Sequence, residues 1–347
     1  MLLHRFNNGD TLYRRQQSLI VSFSGPRGVL STSPYNGGYR GDLKYVFNHD
    51  CKEAGLKNTP LKAPTYEEHM KLVATELGLD PLYSCGLSTA ADMENVSIQS
   101  ETYDDLTVTA VVTGGIDVNG GRVGDPADWH ESSGVPVPVS GTINIMLFID
   151  AKLPEGTITR ALITCTEAKT AALQELLAPS LYSSGIATGS GTDGTIIVSN
   201  PQSPVYLTYA GKHAKLGELI GHTVMKAVKE ALYLQTGLCT AQQFDIFSRI
   251  ARYGITRQSI FDMSPQADAY KLDALSKQRG FVVMTSLYVH LLDQLQWGLI
   301  SPEDALTAAG SLLHDMEMDI TLLGCSENAT AEDMLPILYK MGLIKLL

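Results

Sequence analysis

The ten residues from Gly141 to Asp150, GTINIMLFID, constrain the fold of this chain more than any other stretch. Ile145 to Ile149 run apolar without a break, so the strand they form has no polar face and must be covered on both sides. Asn144 is the exception within it. A buried carboxamide costs on the order of a few kcal/mol unless it is bonded, so Asn144 is either locked to a neighbouring loop or facing a cavity.

The flanking segments supply the covering layers. Residues 18–30, SLIVSFSGPRGVL, read as two short strands around Gly25-Pro26, a pair that stops either strand or helix from running through. Residues 65–79 carry Met70, Leu72, Val73 and Leu77 behind a Glu-rich start at Thr65, which predicts an N-capped amphipathic helix ended by Gly78, with His69 on its exposed side. Residues 85–115 read as strand, acidic hairpin, strand, with β-type alternation from Leu106 to Val112. Pro154-Glu155-Gly156 predicts a turn, followed by a helix from Ile158 to Leu177 capped by Thr157. A further helix is predicted over residues 215–238. From about residue 239 the chain turns wholly helical, punctuated by Gly254, Pro265, Gly280 and Ser301-Pro302.

Strands separated by turns and followed by long helices predict an α+β fold, a layered α/β sandwich with a mixed β-sheet, plus a C-terminal helical extension. The expected division is a domain over 1–239 and the extension over 240–347. Hydrophobic residues at 44 % and charged residues at 18 % fit a chain with a large core. The formal net charge of −11 argues against a nucleic-acid partner, since a phosphate polymer is repelled by the average surface. No window reaches the roughly 18 to 20 apolar residues of a membrane span, and no secretory signal is read at the start, so the cytoplasm is the expected compartment. The five cysteines are scattered without CxxC spacing, which predicts free thiols rather than a disulfide frame or a structural zinc site. No motif requires a metal or a cofactor.

Candidate chemistry concentrates in Thr188–Gly221. A glycine-rich turn holding Gly191, Thr192 and Asp193 leads into a short apolar strand and then a helix start carrying Lys212, His213, Lys215 and Glu218. Three other places offer polar groups. They are the Asn36-Gly37-Gly38 turn, the Gly- and Pro-rich loop from Gly115 to Ser140 with Asn119, Arg122 and Asp125, and the helix face of Thr166, Lys169 and Thr170 beside Glu167. Gly-x-Ser-x-Gly and HExxH are both missing, so neither a nucleophile elbow nor a zincin is supported.

The order of these blocks, STSPYNGG from Ser31, GLSTAADM from Gly86, NGGRVGDP from Asn119, GTINI from Gly141, TEAKTAAL from Thr166, ATGSGTD from Ala187 and YAGKHAKLGELIG from Tyr209, resembles the adenosylcobinamide amidohydrolase (CbiZ) family. The resemblance spans roughly residues 28 to 255 and departs at Asp117-Val118-Asn119-Gly120-Gly121, where a Gly-x-Asn-Ala loop is expected. It implies an enzyme of cobamide salvage and remodelling. Such an enzyme hydrolyses the amide joining the corrin side chain to aminopropanol, releases adenosylcobyric acid, and in some members also acts on adenosylated cobamides such as pseudocobalamin. The implied partner is a corrinoid small molecule, and assembly into a homo-oligomer is left open.

Amide hydrolysis needs an activated water or nucleophile, donors for the oxyanion and an acid for the leaving amine. The expectation is that Asp193 or Glu167 acts as base and His213 as acid. Lys169, Lys212, Lys215 or the amides of the 189–194 turn would hold the oxyanion, and Asn36, Gly37, Asn119, Arg122, Asp125, Thr142, Asn144, Thr166, Thr170, Gly191 and Lys215 would bind substrate. A covalent route through Thr142 or Thr192 is the competing chemistry. A corrinoid-binding module without catalysis is the alternative function.

Overall fold

A computed structural model of the chain describes residues 1–52, 61–127, 130, 141–318 and 330–347. They form two compact units, one of residues 1–182 with 186–238, the other of residues 239–347 with 183–185.

The larger unit is built on two sheets. The first has five strands, β1 (Leu2–Arg5), β2 (Thr11–Arg15), β3 (Ser18–Ser22), β6 (Tyr45–Asp50) and β7 (Ser84–Thr89), adjacent in that order. The second has six, in the order β5 (Gly38–Arg40), β4 (Gly28–Ser31), β13 (Gly194–Ser199), β11 (Thr142–Ile149), β9 (Leu106–Gly115) and β8 (Ser97–Tyr103). Both sheets are mixed: β6 and β7 run parallel, as do β11 and β13, while the other pairings are antiparallel. Two glycine-rich segments, β10 (Gly120–Gly121) and β12 (Gly189–Ser190), form a separate small ribbon.

Period-two alternation along β11 explains its unbroken apolar run. Met146 and Phe148 enter the core between the sheets with Leu12, Val21, Val46 and Leu87. Ile143, Ile145, Leu147 and Ile149 enter the core against α2 (Glu155–Glu175) and α3 (Lys215–Thr236). On the outer side of the first sheet, Ile20 and Phe47 pack on Met70, Val73 and Ala74 of α1 (Tyr66–Glu76). The result is four layers, helix, sheet, sheet and helices, which is a layered α+β sandwich.

Helix ends follow their local chemistry. Thr65 caps α1 by accepting from Glu68 N at 3.2 Å, and Gly78 beyond its end takes φ +69°. Helix α2 begins earlier than its sequence predicts, directly behind Pro154, and Thr157 lies buried in its first turn instead of capping it. His69 is also buried rather than exposed, because the chain at Lys62 turns back and donates its backbone N–H to His69 Nδ1 at 3.1 Å.

The smaller unit carries α4 (Ile246–Ile250), α5 (Arg257–Met263), α6 (Ala269–Ser276), α7 (Arg279–Gln296), α8 (Pro302–Asp315) and α9 (Ala331–Lys345) around its own core. Two tyrosines sit inside that core with their hydroxyls satisfied. Tyr288 donates to Leu335 O at 2.8 Å, and Tyr339 lies 2.6 Å from the Thr285 hydroxyl. Among the described residues, no helix is long and apolar enough to cross a membrane.

Candidate active site

Parallel pairing of β11 with β13 brings two strand starts together, since Asn144 lies opposite Gly194 in the register. Thr142 therefore stands beside the turn that carries Thr192 and Asp193. The Asp193 carboxylate accepts from Ile143 N at 2.9 Å, Ser190 N at 3.1 Å and Ser190 Oγ at 2.6 Å, and it forms an ion pair with Lys169 from α2. Both side chains of that pair are about nine-tenths buried, at 11 % and 12 % exposure, so desolvation makes the pairing obligatory.

Three hydroxyls lead away from this carboxylate. Ser190 Oγ lies 3.3 Å from Thr192 Oγ1, which lies 2.6 Å from Thr142 Oγ1. The chain Thr142, Thr192, Ser190, Asp193 is thus a continuous path by which a proton can leave the Thr142 hydroxyl and arrive on a carboxylate.

The Gly141 carbonyl sits at the outer end of the same path. It accepts from Asn119 Nδ2 at 2.5 Å, from Thr192 Oγ1 at 2.8 Å and from the neighbouring Thr142 Oγ1 at 2.7 Å. Gly141 has φ +106°, and a side chain there would collide with the Asn119 carboxamide, so only glycine fits. Asn119 itself is buried, and its Oδ1 has no hydrogen-bond partner among the described residues.

The ribbon of β10 and β12 holds the Asn119–Asp125 turn against the site, pairing Gly120 with Ser190 and Gly121 with Gly189. A methyl group on Gly189 would stand within 2.6 Å of Lys169 Nζ and closer still to the Asp193 carboxylate, so glycine there is what lets the ion pair close. Asp125 Oδ2 accepts from Arg122 N at 2.7 Å and Ser180 Oγ at 2.6 Å, shaping the turn, while the Arg122 side chain is exposed. Thr188 Oγ1 accepts from Val123 N at 2.9 Å.

Asn144 is locked by hydrogen bonds, but to strands β6, β7 and β13 rather than to the neighbouring loop that its sequence context suggests. Its Nδ2 donates to Asn48 Oδ1 and to Ser88 O, both at 2.8 Å, and its Oδ1 accepts from Gly194 N at 3.1 Å. Asn48 in turn donates to Thr113 Oγ1 at 2.8 Å, so the two carboxamides tie the sheets together directly beneath the site. Asn36, at φ +51°, donates to Pro81 O and Ser84 O, each at 2.8 Å, while Gly37 abuts Ser33 O. Both serve the local turn.

Several candidates stand elsewhere. Lys229 of α3 pairs with Glu175 of α2, and Gln235 near the α3 C-terminus lies 3.3 Å from the position a Cβ on Gly115 would take. Gly115 is paired with Thr142, so it is the C-terminal end of α3 that approaches the site. A 22-residue helix is about 30 Å long. His213 and Lys215 at its start are therefore at the opposite end of the sandwich and cannot serve Asp193. Lys215 is engaged with Glu218 at 2.8 Å. Glu167 is exposed and faces Arg160 at 3.8 Å, so it is not the base of this cluster either. On α2 the side predicted to act as one wall is divided. Lys169 turns inward to Asp193, whereas Thr166, Glu167 and Thr170 line an open groove of about 510 Å³ with Leu162 and Ile163. Thr170 Oγ1 also donates to Thr188 O at 3.2 Å. Gly191 is exposed at the tip of the turn.

Ser190 and Asn48 are members of this cluster that the sequence does not single out. Ser190 had a signal, three residues ahead of Asp193 in a glycine-rich turn. Asn48 had none, because its partner is 96 residues away.

Three of the described thiols are poorly suited to the nucleophile's role. Burial pushes Cys85 up to about 11 and Cys165 up to about 12, and Cys51 upward as well, so these groups stay protonated near neutrality. Among the described residues no cluster of three or more His, Cys, Asp or Glu could hold a metal ion.

Comparison with known proteins adds the following. A family model described as adenosylcobinamide amidohydrolase matches residues 3–240. An adenosylcobinamide amidohydrolase of Methanosarcina mazei is 30 % identical over 229 residues, covering 64 % of this chain and 96 % of that protein. An uncharacterized protein of Methanocaldococcus jannaschii is 35 % identical over 238 residues, covering 65 % and 89 %. A crystal structure of a Pyrococcus horikoshii protein aligns at 11 % identity with a TM-score of 0.32, over 62 % of this chain and 77 % of that one.

Proposed function

The chain belongs to the adenosylcobinamide amidohydrolase family, and we propose that it hydrolyses the aminopropanol amide of adenosylcobinamide to adenosylcobyric acid, as a step of corrinoid salvage. Adenosylated cobamides such as pseudocobalamin are the proposed second substrates. The observation that carries the reading is the hydroxyl path from Thr142 to the Asp193 carboxylate, with links of 2.6, 3.3 and 2.6 Å.

In this mechanism Thr142 Oγ1 attacks the scissile carbonyl carbon. Its proton passes through Thr192 and Ser190 to Asp193. Lys169 holds that carboxylate in place, and its charge offsets the cost of keeping a carboxylate out of water. The proton returns along the same path to the leaving aminopropanol nitrogen. Water then releases adenosylcobyric acid from Thr142. Asn119 Nδ2 is the side-chain oxyanion donor, since the single Thr192 proton is committed to the relay. Arg122, Asp125, Thr170 and Gly191, around the mouth of the site, are the proposed contacts for the polar rim of the corrin.

The test is release of aminopropanol from adenosylcobinamide by the wild-type chain, by Asp193→Asn and by Thr142→Ala, with products identified by mass. Loss of at least a hundredfold in both variants is expected, since each removes a group that acts in the transition state. Wild-type protein that binds the corrinoid and returns it unaltered overturns the reading in favour of a binding module. Full activity in Thr142→Ala overturns the covalent route.

A further inference from the structure

The Gly141 carbonyl occupies a seat that has every feature required to activate a carbonyl. Its oxygen accepts from Asn119 Nδ2 at 2.5 Å, the kind of donor that stabilises an oxyanion, and in the resting state also from Thr192 Oγ1 at 2.8 Å. A hydroxyl, Thr142 Oγ1, stands 2.7 Å from that same oxygen and is linked through Thr192 and Ser190 to a carboxylate. The backbone is held at φ +106°, a conformation open to glycine alone at this spot. A nucleophile, a proton path and a side-chain oxyanion donor thus converge on one peptide bond of the chain itself. The seat is also the one that the substrate amide needs under the function proposed above, so an intact Gly141–Thr142 bond blocks it.

We propose that the chain cleaves its own Gly141–Thr142 peptide bond. Thr142 Oγ1 adds to the Gly141 carbonyl carbon while its proton leaves toward Asp193. The Gly141 C–N bond then breaks and the Thr142 nitrogen takes up that proton, giving an ester between Gly141 and the Thr142 hydroxyl. Water hydrolyses the ester, leaving a Gly141 carboxylate and a Thr142 with free hydroxyl and free α-amine. One water is consumed and no other co-reactant is needed. The emptied seat retains Asn119 as a donor for the substrate's carbonyl, and the new α-amine places a base beside the Thr142 hydroxyl.

The identity of the attacking residue rests on the function proposed above, but self-cleavage is read without corrinoid. Purified full-length protein is incubated at neutral pH with and without hydroxylamine, then analysed by intact mass and N-terminal sequencing. Self-cleavage gives a fragment beginning at Thr142, and hydroxylamine accelerates its appearance and traps Gly141 as a hydroxamate, which adventitious proteolysis does not produce. Thr142→Ser cleaves, Thr142→Ala does not, and Asn119→Ala slows the reaction roughly a hundredfold. A single intact mass in both incubations, or a hydroxamate at another residue, overturns the proposal whether or not the variants fold. An intact chain that still releases aminopropanol refutes self-cleavage and leaves the amidase. A cleaved chain that releases none refutes the amidase and leaves self-cleavage.

Discussion

Replacing Lys169 by methionine tests whether the buried pair is what holds the Asp193 turn in place. The substitution keeps the length of the side chain and removes the cation from a site where both partners are about nine-tenths buried. Removing one member of such a pair costs about 3–5 kcal/mol, because the other charge is left out of water without a partner. Three hydrogen bonds from Ile143 N, Ser190 N and Ser190 Oγ remain on the carboxylate, which brings the expected cost to the low end, about 3 kcal/mol. The assay is hydrogen exchange of the β11 and β13 amides, which reads the opening of this unit without interference from the helical one. About 3 kcal/mol is roughly a hundredfold increase in the opening equilibrium. In Lys169→Met/Asp193→Asn no charge is left buried, and exchange returns toward the wild-type rate. A Lys169→Met protein within about 0.5 kcal/mol of wild type, or a double variant that costs the sum of the two singles, refutes the reasoning.

Gly189→Ala forces a Cβ to within 2.6 Å of Lys169 Nζ, so amidase activity should fall at least tenfold even though the substitution is minimal; an unimpaired variant means the pair has room to shift. His213→Ala should keep activity within about twofold, because α3 carries that residue roughly 30 Å from the Gln235 end near the site, and a hundredfold loss contradicts this placement. His49 gives a pH signature. Burial, aided by His69 and Lys62, lowers its pKa from 6.5 to about 4, so the folded state binds fewer protons than the unfolded one. Its stabilising contribution is complete above about pH 6.5 and is lost as the pH falls from there toward 4, by at most about 3 kcal/mol. Urea titrations across that window should flatten in His49→Gln, and an unchanged slope would exclude His49 as the source.

The sequence made the central strand, the capped α1 and the layered plan legible, because each depends on short-range periodicity or on a single capping contact. The same holds for the clustering of Asp193, Thr192, Lys169 and Asn119, which sit in glycine-rich turns or break an apolar helix face. Legibility failed where distance along the chain and distance in space diverge. Thr188–Gly221 reads as one wall, yet β13 carries the chain across the sheet, so the Asp193 turn and the His213 helix start look out from opposite ends. Glu167 and Lys169 are two residues apart on one helix and so point in different directions, a separation that composition does not disclose. Asn144 needed Asn48 from the other sheet before its burial made sense.

Pairing between β11 and β13 has a consequence for how such a site can be altered. Neighbouring strands in a sheet lie about 4.8 Å apart, so the spacing between Thr142 and the Asp193 turn is set by a backbone ladder and not by side-chain choice. What surrounds the reacting atoms is held differently, by the short glycine ribbon and the Asn119–Asp125 turn. Directed evolution of the protein toward other amides can therefore randomise residues 122–127 and the rim of α2 while leaving the ladder untouched. Libraries that reach into 142–144 or 193–194 would be expected to yield mostly inactive chains.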